Sequence, residues 1–352
     1  MVNCNKDFLR NRRALVGFDG YIDRILRPIA QTTEETAAYF DTIGDFGNFL
    51  AGKTGKSCAI QLDSLEERRG GNAPILAGTL AGIGAQVTLC GMLGRSGPLA
   101  VFDDLPENCA RRSYAAPWET LALEFLDGKV MLAPRQPAPE NPLAAVEQAL
   151  GGEAAAGEAF GADLVAMVNW GEIDFMHSLW RAAAQKYICT VPQREKQLFF
   201  DLADPARHPA ARVNELMELI GACGRYRTTV LSVNLNEAQL IAEKLGISCP
   251  DPREAGGVLA EQFGIDQVAV HTLHESLLFE NGRQYAAPTS FVPKPKISTG
   301  AGDNFNAGYC AALLLGLSPD ERLRAANASA NYYVRNARGI PFETFCAALN
   351  QT

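Results

Sequence analysis

Ile297-Ser298-Thr299-Gly300-Ala301-Gly302-Asp303-Asn304-Phe305-Asn306-Ala307-Gly308 is the stretch on which the reading of this chain turns. Before it, Phe291-Val292-Pro293-Lys294-Pro295-Lys296 is kept extended by its two prolines. After it, an apolar run free of proline continues to Leu317 and reads as a buried helix. Gly300 and Gly302 therefore stand where an extended segment turns into a helix. Glycine there lets the backbone fold tightly and leaves amide N–H groups bare at a helix N-terminus, a place that attracts anions. Asp303 puts a carboxylate at the same spot. An anion site tolerates one where it must take a proton beside a phosphate. The plainer alternative is an N-capping aspartate on a glycine-rich turn, but a cap needs no Gly-Ala-Gly before it.

Thr299-Gly300-Ala301-Gly302-Asp303 followed by Asn304-Phe305-Asn306-Ala307-Gly308 resembles the C-terminal signature of the ribokinase-like (pfkB) carbohydrate kinases. The resemblance implies an α/β fold: a three-layer, doubly wound sheet with a small β lid. It implies that Gly300, Ala301 and Gly302 form an anion hole for the transferred phosphoryl group, and that Asp303 deprotonates the acceptor hydroxyl. ATP as phosphoryl donor and Mg2+ as its partner ion come with it.

Length and composition permit this. At 352 residues the chain suits one large α/β unit with a smaller appendage. No apolar run approaches the roughly 18 residues of a membrane span. The net charge of −8 argues against a nucleic-acid or anionic-membrane partner. Met1-Val2-Asn3-Cys4-Asn5-Lys6-Asp7 lacks the apolar centre of a secretion signal, so a cytoplasmic location is expected. Nine cysteines, with no Cys-x-x-Cys pair, read as reduced and mostly buried thiols. His271 and His274 flank a β-like stretch and read, like His177 and His208, as ordinary residues.

The first strand, Ala14 to Phe18, is followed by Asp19 and Asp23. Carboxylates just past the C-terminal end of a buried strand lie where α/β proteins place ligand contacts, and they hold sugar hydroxyls well. Both are candidate acceptor ligands, and the family's substrate aspartate falls at a place similar to Asp23. Beyond it the character changes: 32–52 contains an amphipathic helical stretch, and 57–65 alternates like a strand. Residues 120–126 and 130–132 read as a hairpin about Asp127-Gly128. These segments resemble the family's lid, giving a discontinuous lid of 24–68 and 109–137 on a kinase domain of 1–23, 69–108 and 138–352. Gly70-Gly71-Asn72 joins the two and resembles the family's N-terminal signature, with Gly71 and Asn72 as further acceptor contacts and the glycines as a hinge. Gly82-Ile83-Gly84 lacks the third glycine of a dinucleotide fingerprint and leads into a strand, which disfavours a Rossmann dehydrogenase.

Downstream, strands at 163–169, 197–201, 228–233 and 267–272 alternate with helices at 175–185, 210–222 and 239–245, in the doubly wound manner. Residues 144–162 read as a helix with a loose loop. Asn169, Asp201 and Asp204 fall at strand ends facing the expected cleft, and Asn169 joins the candidate acceptor contacts. Asn234 with Glu237 fits the family's Asn-x-x-Glu spacing, which implies that Glu237 holds the magnesium through water. Matching Asn236 instead would put Gln239 in the glutamate's place. The resemblance further implies nucleotide contacts at Asn236, Thr272, Thr299, Asn327 and Gly339. Ile297 stands where related kinases usually carry an aspartate that helps bind a monovalent cation, so no such ion is expected here.

The sequence thus reads as an ATP-dependent kinase acting on a sugar or sugar-like alcohol, with a homodimer through the lid as its candidate oligomer. A nucleoside kinase on the same scaffold is the nearest alternative. A non-catalytic sugar or nucleotide sensor is the alternative from another class. Residues 17–23 and the insert also resemble the ADP-dependent sugar kinases, but those are substantially longer, which favours ATP.

Overall fold

The computed structural model describes residues 5–350; Met1–Cys4, part of the segment read for a leader, lie outside them. Short runs such as Leu164–Val168 are apolar throughout because they are covered on both faces. They build a nine-stranded sheet whose spatial order is Arg283–Pro288, Glu275–Glu280, Gln267–His271, Thr228–Asn234, Gln197–Asp201, Leu164–Val168, Arg13–Gly17, Gln86–Gly91 and Cys109–Ser113. The last seven run parallel, and the first two are added antiparallel at one edge. Successive residues feed opposite faces: Leu15 enters one apolar cluster, Ala14 and Val16 the other.

From Arg13–Gly17 the chain first builds towards Cys109–Ser113, then returns to the other side through Leu164–Val168. The order reverses between these two neighbours, and such a switch point opens a crevice at the strands' C-terminal ends. Asp19, Asn169 and Asp201 all arrive there.

The segments read as the lid build a second, five-stranded sheet. Tyr21–Thr32 runs through it and pairs with Ala37–Tyr39, Leu62–Gly70 and Trp118–Phe125, and Gly128–Leu132 closes the hairpin. Three boundaries differ from expectation. The lid's long strand begins at Tyr21 and its partner runs on to Gly70, so Asp23 lies on the lid rather than in the core. Cys109–Ser113 belongs to the central sheet, held by parallel pairing to Gln86–Gly91. The insert helix is only Ile43–Ala51, capped by the Thr42 hydroxyl on the Asp45 N–H, because 32–39 is spent on strand pairing. Residues 144–162 hold two helices, Pro142–Leu150 and Glu153–Phe160, broken at Gly151-Gly152, where both φ angles are positive. Cys58 is exposed; the other described cysteines are buried or half-buried. Among the described residues no helix is long and apolar enough to cross a membrane.

Candidate active site

The helix Ala301–Leu314 starts from Gly300, whose φ of 90° is left-handed and suits glycine. A Cβ there would come within 2.9 Å of the Tyr333 hydroxyl. The Ala301 N–H bonds back to the Ser298 carbonyl at 3.1 Å, and the Asn304 N–H to that of Gly300 at 3.1 Å. Between them the Gly302 and Asp303 N–H groups have no partner among the described residues. Asp303 is buried in this first turn. Burial, and then the charges of Asp201, Asp19 and Glu237, push its carboxyl well above the usual range.

The asparagines after it anchor the helix. Asn304 donates to the Gly300 carbonyl and accepts from the Thr79 hydroxyl, both at 2.8 Å. Asn306 donates to Asp201 and accepts from the Ser232 hydroxyl. Gly308 lets the helix lie against Pro319–Asn336, where a Cβ would meet the Ala325 carbonyl at 2.7 Å.

Two cavities border this turn. One, of ≈ 530 Å³, is lined by Ser298, Ala301 and Gly302, with Asn236, Thr272 and Asn327 among its other walls. The other, of ≈ 870 Å³, lies under the lid and is lined by Thr299 and Ile297, with Asp23, Arg68 and Tyr333. Thr299 and Gly339, expected on the nucleotide side, line this second cavity instead. Gly339 is there because a Cβ would meet the Thr79 hydroxyl at 2.6 Å. The imidazoles of His271 and His274 line the first cavity beside Phe305 and Phe291, a wall the sequence did not announce. Burial lowers the His271 pKa to about 4, so it stays neutral near pH 7.

Asp23 faces the second cavity, its carboxylate 4.0 Å from Arg68. Burial raises its pKa while Arg68, the Thr120 hydroxyl and Lys129 pull it back. Gly70 clears space for it, since a Cβ would sit 2.7 Å from the carboxylate.

Asp19 corrects its reading as an acceptor ligand. It is fully buried, and its oxygens accept from the Asn72 N–H at 2.8 Å, the Ala73 N–H at 2.7 Å and the Asn169 amide at 2.8 Å. It therefore caps the helix Asn72–Ile83 from outside, because Gly71 at the N-cap has no side chain to do so. Its pKa, raised to about 6 by burial against these donors, stays close enough to neutral for it to hold them as a carboxylate. Gly71 has a φ of 94° and lies where a Cβ would press on Asp19 at 2.7 Å. Asn169, also at positive φ, keeps a buried side-chain oxygen with no partner.

Asn234 and Glu237 form a capping box on the helix Leu235–Lys244. The Glu237 N–H donates to the Asn234 side chain, and the Asn234 N–H to a Glu237 oxygen, each at 2.9 Å. Burial, helped by Asp201, raises the Glu237 carboxyl to about 8. The Thr272 hydroxyl is likewise occupied, holding the turn to Glu275.

The model of the prokaryotic ketohexokinase family matches residues 3–351. A ketohexokinase of Haloferax volcanii is 26% identical over 329 residues, covering 92% of this chain and 87% of that one. Among solved structures, a carbohydrate kinase from Agrobacterium tumefaciens superposes with a TM-score of 0.62 at 17% identity, covering 96% of this chain and 97% of that one. Arabidopsis thaliana ribokinase, complexed with ribose and ATP, gives 0.64 at 16% identity, covering 97% and 99%. The structural likenesses carry the fold.

Proposed function

The chain belongs to the prokaryotic ketohexokinase family and is a carbohydrate kinase; from that premise we propose that it transfers the γ-phosphoryl of ATP to a primary hydroxyl of a ketohexose. The observation that carries the reading is the Thr299–Asp303 turn, which borders both cavities. ATP occupies the Asn236, Thr272 and Asn327 side, and the sugar the lid side, gripped by Asp23. Asp303 takes the hydroxyl proton, while the backbone amides of the Gly300–Asp303 turn receive the phosphoryl charge. The lid keeps water out.

Magnesium fits with limits. Beyond burial, the charge of Asp201 raises the Glu237 pKa, and those of Asp201 and Glu237 raise that of Asp303, which a divalent ion would relieve. Among the described residues no three such side chains converge to cage an ion. Glu237, with the oxygen its capping box leaves over, would hold the ion through water, and the ion would neutralise charge at the phosphates.

The lid sheet exposes Leu62, Leu65, Met131 and Leu132, which supports pairing with a second copy through the lid. Light scattering giving a monomer mass at working concentration removes that assembly.

A coupled assay of ADP release over ketohexoses, aldoses, pentoses and nucleosides tests the function. Ketohexoses are expected to give the highest kcat/KM. Turnover confined to nucleosides replaces the reading with the nucleoside-kinase alternative. Ligand binding without any ADP release makes the protein a sensor.

A further inference from the structure

Tyr333 lies near the C-terminal end of the helix Pro319–Asn336, thirty residues after the phosphoryl-site turn, and nothing in the sequence signature includes it. Its hydroxyl donates to the Thr299 carbonyl at 3.0 Å. The same oxygen is the nearest atom to the position a Cβ on Gly300 would take. One residue further, the Val334 carbonyl accepts the Lys296 N–H at 2.8 Å. The helix thus holds the incoming segment and the turn at two points, one on each side of Ile297-Ser298. The Ile75 side chain also closes on Gly300, 3.2 Å from the same Cβ position. The two hydrogen bonds and these contacts together clamp the turn.

The clamp has a consequence for the free amides. Gly300 is left-handed, and the peptide planes on either side of it decide where the next N–H groups point. The hydrogen bond to the Thr299 carbonyl fixes the peptide plane ahead of Gly300, and the Gly302 and Asp303 N–H groups after it are left without a partner among the described residues. The ring of Tyr333 also lines the lid-side cavity with Asp23 and Arg68. One side chain therefore connects the acceptor cavity to the turn that receives the phosphoryl group.

We propose that Tyr333 is a positioning residue for phosphoryl transfer, its hydroxyl holding the Thr299–Gly300 peptide so that the amides after it are aimed at the transferred group. This rests on the assignment of that turn as the anion hole. Preorganised donors act only when already aimed, and small misplacements are costly, so loss of the hydroxyl lowers kcat by about tenfold. The ATP-side cavity does not include Tyr333, so the KM for ATP stays within about twofold.

The experiment compares wild type, Tyr333→Phe and Asp303→Asn by steady-state kinetics, with thermal unfolding of each. Tyr333→Phe keeps the ring and its packing, and is expected to lose kcat while keeping Tm and the KM for ATP. Unchanged kcat in Tyr333→Phe, alongside an inactive Asp303→Asn, overturns the role of Tyr333 and leaves the anion-hole reading standing. Near-normal turnover in Asp303→Asn overturns that reading itself. A fall in kcat of Tyr333→Phe accompanied by an equal rise in both KM values and a lowered Tm marks the hydroxyl as structural only, which also overturns the proposal.

Discussion

Asp303, the proposed general base, sits where it is at a cost to the fold. Its folded pKa lies above that of the unfolded chain, so the native state binds the extra proton. The stability attached to that proton is fully present below the ordinary carboxylate range and is lost as pH rises through the raised value. Asp303→Asn mimics the protonated form. It is expected to lower kcat by roughly two to four orders of magnitude, the scale of a general base, and to raise Tm at neutral pH. The Tm gain should shrink towards zero as the comparison moves to acid, and a gain that persists there separates amide packing from charge. In the wild type kcat should fall towards acid, as the base becomes protonated. Ile297 is the opposite case, a residue that supplies nothing where relatives use an oxygen ligand. Activity is expected to be indifferent to replacing potassium by tetramethylammonium at constant ionic strength. Strong activation by potassium alone would mean that backbone carbonyls suffice for an ion site.

Among the elements, the helix Asn72–Ile83 shows what the sequence could and could not reveal. Its glycine pair was legible as a hinge-like junction, but not the reason for it: Asp19 comes from 53 positions earlier to cap the helix. Long-range capping leaves no local spacing to read, so Asp19 looked like a ligand. Asn234 and Glu237 were legible only as a spacing, because a capping box and a metal motif share it. The strands and the turn at Gly300 were legible, since an all-apolar run and a Gly-Ala-Gly-Asp are local signals. Tyr333 and the His271 and His274 wall were not, because only tertiary folding brings them to the cavities. The cap is testable. Asp19→Ala orphans three donors, the Asn72 and Ala73 N–H groups and the Asn169 amide, at about 1–3 kcal/mol for each buried one, and Gly71→Ala adds strain at positive φ together with a contact on Asp19. Both should lower the urea midpoint markedly. An Asp19→Ala protein of normal stability but with a raised acceptor KM would restore Asp19 as a sugar ligand.

For the molecule as a whole, the question is what holds the lid against the core, and magnitudes decide it. Ion pairs bridge the two: Arg69 with Asp104, and Arg135 with Asp174 at 2.9 Å. Their side chains are 25% and 64% exposed in the first pair, and 82% and 45% in the second. Exposed pairs of this kind contribute about 0–1 kcal/mol each and weaken further with salt. They do not latch the lid. The joint lies instead where Tyr21 and Trp118 pack into the core's apolar cluster beside the crossing at Gly20–Tyr21, while the cavity beneath stays open to about 870 Å³. The proposed function then assigns closure to the acceptor itself, through contacts such as that proposed for Asp23, completed only when sugar is bound. On this account Arg135→Ala should change kcat/KM for the acceptor by less than about threefold, in low salt as in high. A loss of tenfold or more, abolished by salt in the wild type, would show that this surface pair is a latch and that the lid is closed by charge rather than by its ligand.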